Sequence, residues 1–142
     1  MNDLTELLDD FTWENFTDIS NSLVRFDERH IDDEMLRQAS IYSYYHGLMV
    51  AAKRRMNDLE TDLTRLTAQL RSGHKHSTPT KLTAKDLDDL VESDEAYVSG
   101  SKDVNDATFK YELIRGLVKA LEQKKDMLVQ VSSNKRAETK LY

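Results

Sequence analysis

Between residues 42 and 70 the side chains of Tyr42, Tyr45, Met49, Ala52, Met56, Leu59, Leu63, Leu66 and Leu70 recur at alternating spacings of three and four. Four heptads of that 3.5-residue period predict one conformation, a helix packed along its length against other helices as a coiled coil. From Asp32 to Gly73 there is no Pro, and the one Gly before Gly73 is Gly47. The pattern therefore predicts a single helix of some forty residues, about 60 Å long at ~1.5 Å per residue. Asp32 or Asp33 is the expected N-cap, with carboxylates clustered where the helix dipole is positive. Gly73 is expected to end the helix, with Pro79 preventing a restart and 72–82 forming the loop.

Beyond that loop, Thr83 and Asp86 have the spacing of a capping box, opening a short acidic helix with Leu87, Leu90 and Val91 turned inward. The pattern weakens around Ser99, Gly100 and Ser101. It resumes with Val104, Ala107, Tyr111, Ile114, Val118 and Leu121, again in steps of three and four. Lys125 breaks that seam, and Leu117, Leu121, Leu128 and Val131 continue it on a shifted face. Residues 30–142 thus predict an all-α fold, an antiparallel helical hairpin of two long heptad-bearing helices with short N-terminal and connecting helices. The five Gly and Pro residues are too few for the turns of a sandwich or barrel. Ile41, Tyr44 and Leu48 form a second apolar face that two helices leave uncovered, so the hairpin is expected to assemble into a homo-oligomer.

Residues 1–29 read as an acidic N-terminal helical segment. Leu4, Leu7, Leu8 and Phe11 fall on one face and predict a short helix over 3–11. Thr12 offers a restart, and Trp13, Phe16, Ile19, Leu23 and Phe26 continue a loosely helical stripe. Two readings fit Phe11, Trp13 and Phe16. They dock onto a basic groove of a partner, or they cap the body of their own chain.

The net charge of −6 conceals an ordered distribution. Residues 1–36 carry eleven acidic and two basic side chains, and residues 37–78 carry three and seven. Residues 79–106 carry eight acidic and three basic, and residues 107–142 carry four and eight. The blocks run −9, +4, −5, +4. A phosphate backbone reads local rather than mean charge, so overall acidity does not exclude nucleic acid. Lys53, Arg54 and Arg55 form a run in the first long helix, with Arg65, Arg71 and Lys75 following toward its end. Arg54 and Arg65, about three turns apart, share a face. Cations with nearby aromatics bind single strands by phosphate contact and base stacking, although Tyr42 and Tyr45 belong to the seam and only Tyr44 lies off it. The other reading of these charges is a set of solvated helix faces.

Other chemistry finds little support. The chain has no Cys, which removes disulfides, thiolate metal sites and a thiol nucleophile. His74 and His76 flank Lys75 without a third ligand at helical spacing, so no metal is expected. Phosphate-loop and hydrolase motifs are absent. The pairs Asp9-Asp10, Asp32-Asp33 and Asp88-Asp89 are adjacent, which turns neighbours to different helix faces. No catalysis and no cofactor are expected. No apolar run approaches the roughly 20 residues that span a bilayer, and the acidic start reads as neither signal nor transit peptide. A soluble, intracellular protein is expected.

An acidic helical start, the entry Ile31-Asp32-Asp33-Glu34-Met35-Leu36, a long helix rich in Tyr, Met, Lys and Arg, and a second long helix with Tyr111, Ile114, Leu121, Leu128 and the tail Lys135-Arg136 follow in order. In that order the chain resembles the UvsY-type recombination mediators of tailed bacteriophages, over about residues 30–138. The resemblance implies a non-enzymatic, ring-forming homo-oligomer in the bacterial host cytoplasm. It would bind single-stranded DNA and load a phage recombinase onto strands coated with single-strand-binding protein. The family's basic-x-basic motif and following Tyr pair are not intact: residues 64–73 retain Arg65 alone. Lys53, Arg54 and Arg55 are therefore assigned to DNA by charge, not by the resemblance. A structural or adaptor coiled-coil protein of a phage is the alternative.

Overall fold

The computed structural model describes residues 4–141. Their regular structure is helical throughout: α1 (Leu4–Asp9), α2 (Trp13–Val24), a single 3₁₀ turn (Glu28–His30), α3 (Ile31–Ser77), α4 (Ala84–Glu92) and α5 (Glu95–Leu141). The expected helix start at Asp3 and the side chain of Leu4 lie outside the described residues. The chain divides into two units, one of residues 1–52 with 110–142 and one of residues 53–109. The boundary expected at residue 29 is not where it divides, because the N-terminal helices share a core with parts of α3 and α5.

Local signals decide most of the helix ends. Thr12 caps α2 by accepting from the Asn15 N–H at 3.3 Å. The capping box ahead of α4 is complete, with Asp86 N–H donating to Thr83 Oγ1 at 3.1 Å and Thr83 N–H to Asp86 Oδ2 at 3.2 Å. Neither Asp32 nor Asp33 is an N-cap; both lie in the first turn of α3. Asp27 caps the preceding 3₁₀ turn instead, accepting from the Arg29 N–H at 2.9 Å. The Arg29 guanidinium on the same carboxylate holds Asp27 below the usual carboxylate range.

Gly73 does not end α3. It stays in the helix without a positive φ, and α3 continues to Ser77. Pro79 sets the stop, since its ring disfavours the α conformation at Thr78. The hydroxyls of Thr78 and Ser77 donate to the His74 carbonyl at 2.9 and 3.4 Å, where a helix end leaves acceptors unpaired. The connection is therefore 78–83 rather than 72–82. The second long helix also begins earlier than its periodicity, at Glu95.

In the first unit, Leu8, Phe11, Leu48, Ala52, Ile114, Leu117, Val118 and Leu121 form one buried cluster. Ile114, Leu117 and Leu121 are wholly inaccessible to solvent. Burying a leucine-sized side chain contributes roughly 1.5–3 kcal/mol, so this cluster dominates the unit's stability. Phe16, Ile19 and Leu23 of α2 pack on its margin beside Ile41, Tyr42, Tyr45, Met49 and Tyr111. Ile41 and Leu48, expected to be open for self-association, are thus covered within the chain, Leu48 down to 5% exposure. Tyr44 alone of that face stays exposed, edge-on to Tyr45.

Polar ties cross this core. Lys124, 3% exposed, donates to Glu34 Oε2 at 2.8 Å and to the Leu23 carbonyl at 2.6 Å, joining α5 to α3 and to the C-terminal end of α2. Gln38 Nε2 donates to the Leu121 carbonyl at 2.9 Å. The Tyr42 hydroxyl donates to Glu122 Oε1 at 2.9 Å, which raises its pKa above the usual tyrosine value; burial raises that of Tyr45.

In the second unit, Met56, Leu59, Leu63, Leu66 and Leu70 are only half-buried. Leu87 and Val91 of α4 and Ala107 of α5 are its buried apolar residues. Leu90, expected inward, is 37% exposed. Gly100 lies close under α3: a Cβ there would stand 3.1 Å from Leu63 Cδ1.

Candidate nucleic-acid interface

The six cations expected to contact DNA all lie on the α3 part of the second unit. Apolar positions 56–70 occupy one side of this helix, so Arg54 and Arg65 fall on the opposite, solvent side. Lys53, Arg54, Arg65 and Lys75 are exposed and make no ion pair with the described residues. Along the axis Arg54 and Arg65 are about 16 Å apart. That separation spans several phosphates of an extended strand.

Two of the six are committed within the chain. The Arg71 guanidinium is paired with Asp88 of α4. Arg55 is half-buried and already engaged. The pairing of Arg71 could not be read from local pattern, because Asp88 is 17 residues away across the connection. Asp58 and Asp62 interleave with Arg54 and Arg65, and residues 53–109 carry nine basic against eleven acidic side chains. The unit's net charge is −2, and the exposed face that carries Arg54 and Arg65 is mixed in charge rather than uniformly basic. Lys81, Lys85 and Lys102 are further exposed cations of this unit that the heptad reading passed over.

Three of the eight cations of the other basic block, residues 107–142, reach the N-terminal block. Lys110 Nζ lies 3.7 Å from Asp9 Oδ1 and 3.5 Å from the Asp9 carbonyl. Lys124 is taken by Glu34, and Lys135 donates to the Glu28 carbonyl. Arg115 pairs with Glu112 at 3.5 Å and Lys125 with Asp126 at 3.9 Å. Lys119, Arg136 and Lys140 remain exposed.

The docking assignment of Phe11 is corrected by its packing. Phe11 is 5% exposed inside the core, with Phe16 edge-on to it at 6.1 Å. An apolar ring so buried has no surface left for a partner. Trp13 differs: it is 56% exposed and stacks on Phe16 at 5.8 Å. Of the packing-seam residues, Ile114, Val118 and Leu121 are buried, while Tyr42, Tyr45, Met49 and Tyr111 are half-buried at the core's edge. No group of three or more His, Asp and Glu that could hold a metal occurs among the described residues. No helix there is long and apolar enough to cross a membrane.

No family model, curated protein or solved structure matches the chain. The likeness to UvsY-type mediators accordingly stands on the residue pattern alone.

Proposed function

We propose that this chain is a non-enzymatic recombination mediator that binds single-stranded DNA as a homo-oligomer and helps load a phage recombinase onto strands held by single-strand-binding protein. In this reading it works in the cytoplasm of a bacterial host, and the long helices form an antiparallel hairpin. The observation that carries it is the set of exposed, unpaired cations on α3: Lys53, Arg54, Arg65 and Lys75. One protomer offers few phosphate contacts. A ring repeats them, and linked weak contacts multiply into useful affinity. Arg71, tied to Asp88 of α4, is less free to reach a strand than these four.

The test is anisotropy of a labelled oligonucleotide titrated with the full chain at several salt concentrations. Counterion release predicts that log affinity falls linearly with log salt, by about 0.7 per phosphate neutralised. The triple variant K53E/R54E/R65E is expected to abolish binding while light scattering shows the same oligomer. No binding at low salt by the native chain refutes the mediator reading.

A second reading has its own support in the half-buried leucines of residues 56–70 and the carboxylates set between Arg54 and Arg65. A coiled-coil adaptor uses such a face for packing and such charges for solubility. An oligomer that persists without any affinity for single strands selects it.

A further inference from the structure

On the first unit, α3 and α5 bound a groove of about 570 Å³, within the size range of small-molecule sites. Its apolar lining is Met35, Ala39, Leu128 and Val129, with the Tyr42 ring beside them. Gln38 also lines it and is 7% exposed. The Gln38 amide is oriented by donating to the Leu121 carbonyl, which leaves its Oε1 buried with no hydrogen-bond partner. An unpaired buried carbonyl is a rare and costly feature. Two carboxylates line the groove as well. Glu122 gives one oxygen to the Tyr42 hydroxyl, and Asp126 lies 3.9 Å from the solvent-directed Lys125 ammonium. The charged lining is therefore two carboxylates against one ammonium.

From this combination we infer that the groove binds a small hydrophobic amine as its ammonium ion. The apolar walls take the hydrocarbon, and the carboxylates of Glu122 and Asp126 supply the acceptors for the cation. The Tyr42 ring adds a quadrupole that favours a cation over a neutral group of the same shape. An anionic ligand meets the two carboxylates and is excluded. This site lies in a different unit from the α3 cations assigned to DNA, so its test is independent of theirs.

The probes are 2-phenylethylammonium, phenylacetate and 2-phenylethanol, which share a ring and differ in charge. Each is titrated into the uniformly ¹⁵N-labelled full chain and followed by proton–nitrogen correlation spectra. The ammonium is expected to give saturable shifts at the Gln38 side-chain amide and at the backbone amides of Ala39, Tyr42 and Val129. The anion should give none there, and the alcohol should bind at least several-fold more weakly. Removing the charge with E122Q, which keeps an acceptor for Tyr42, is expected to weaken the ammonium about tenfold. Filling the groove with A39W, at an exposed position, should abolish binding without altering the helical circular-dichroism signal. Three results overturn the inference: no saturable shifts, equal affinity for ammonium and alcohol, or full binding by A39W. Shifts at Ala39 and Val129 that move on diluting the protein alone also overturn it, since a second copy then fills the groove.

Discussion

The two units present similar sequence patterns and reach different degrees of burial. In the first, α1 and α2 lie over the α3–α5 pair, and Ile114, Leu117 and Leu121 lose all contact with water. In the second, Met56, Leu59, Leu63, Leu66 and Leu70 carry the same three-and-four spacing, yet every one of them stays half-exposed. A heptad stripe specifies which side of a helix is apolar but not how much of that side is covered. Coverage depends on a third element. The N-terminal segment supplies one, whereas α4 contributes little more than Leu87 and Val91. The difference also sorts the charges. Where the acidic segment packs, lysines of α5 are paired; along the α3 part of the second unit, Lys53, Arg54, Arg65 and Lys75 are left free.

The sharpest break between the units is a matched pair of truncations. Leu121→Ala, at a site with no exposure, is expected to lower the unfolding free energy by about 4 kcal/mol, the transfer term plus an uncollapsed cavity. Leu63→Ala, half-exposed in the second unit, should cost about 1 kcal/mol. Urea titration of both variants measures the contrast, and equal losses would dismiss the distinction between roofed and open seams.

The next effect isolates the charged tie beneath the N-terminal segment. Lys124→Ala leaves the Glu34 carboxylate and the Leu23 carbonyl without their buried donor, and about 3 kcal/mol is the expected loss. Replacing both partners, K124M with E34L, removes the stranded charge and should recover most of it. A thermal melt that fails to separate the single from the double variant would show that the pair is solvated, and that apolar contact alone holds α2 down.

Much of the helical layout was legible because it rests on local chemistry. Thr12, the Thr83–Asp86 box and the repeat from Tyr42 to Leu70 each act over a turn or two. The errors arose where distant segments decide. Gly73 looked like a helix end, but nothing downstream required a left-handed residue there, and Pro79 set the stop. Ile41 and Leu48 looked open because a stripe on one helix says nothing about α1 and α2 folding over it. Phe11 was ambiguous for the same reason, being as suited to its own core as to a partner's groove. At the candidate interface, exposure of Lys53, Arg54 and Arg65 followed from their side of the helix. The loss of Arg71 to Asp88 depended on the placement of α4, which no periodicity encodes.

Glycine substitutions give the smallest effects and probe how closely the helices approach. All four glycines are helical without a positive φ, so alanine fits the backbone and gains roughly 0.5–1 kcal/mol of helix propensity and unfolded-state entropy. At Gly47 and Gly116 in the first unit, and at Gly73 in the second, nothing lies within 4 Å of an added Cβ. The full gain should appear at each. At Gly100 the new methyl would meet Leu63 Cδ1 at 3.1 Å and Leu66 Cδ2 at 3.8 Å. Both contacts are the far ends of flexible leucines in a half-exposed seam, so the side chains can yield by a few tenths of an ångström. The expected result for Gly100→Ala is a gain smaller than at the other three, near zero, read as midpoint shifts in a common denaturant series. A loss above 1 kcal/mol would mean that the second unit's seam is packed as rigidly as the first unit's core, and a gain equal to that of Gly73→Ala would mean that α3 and α5 stand further apart there.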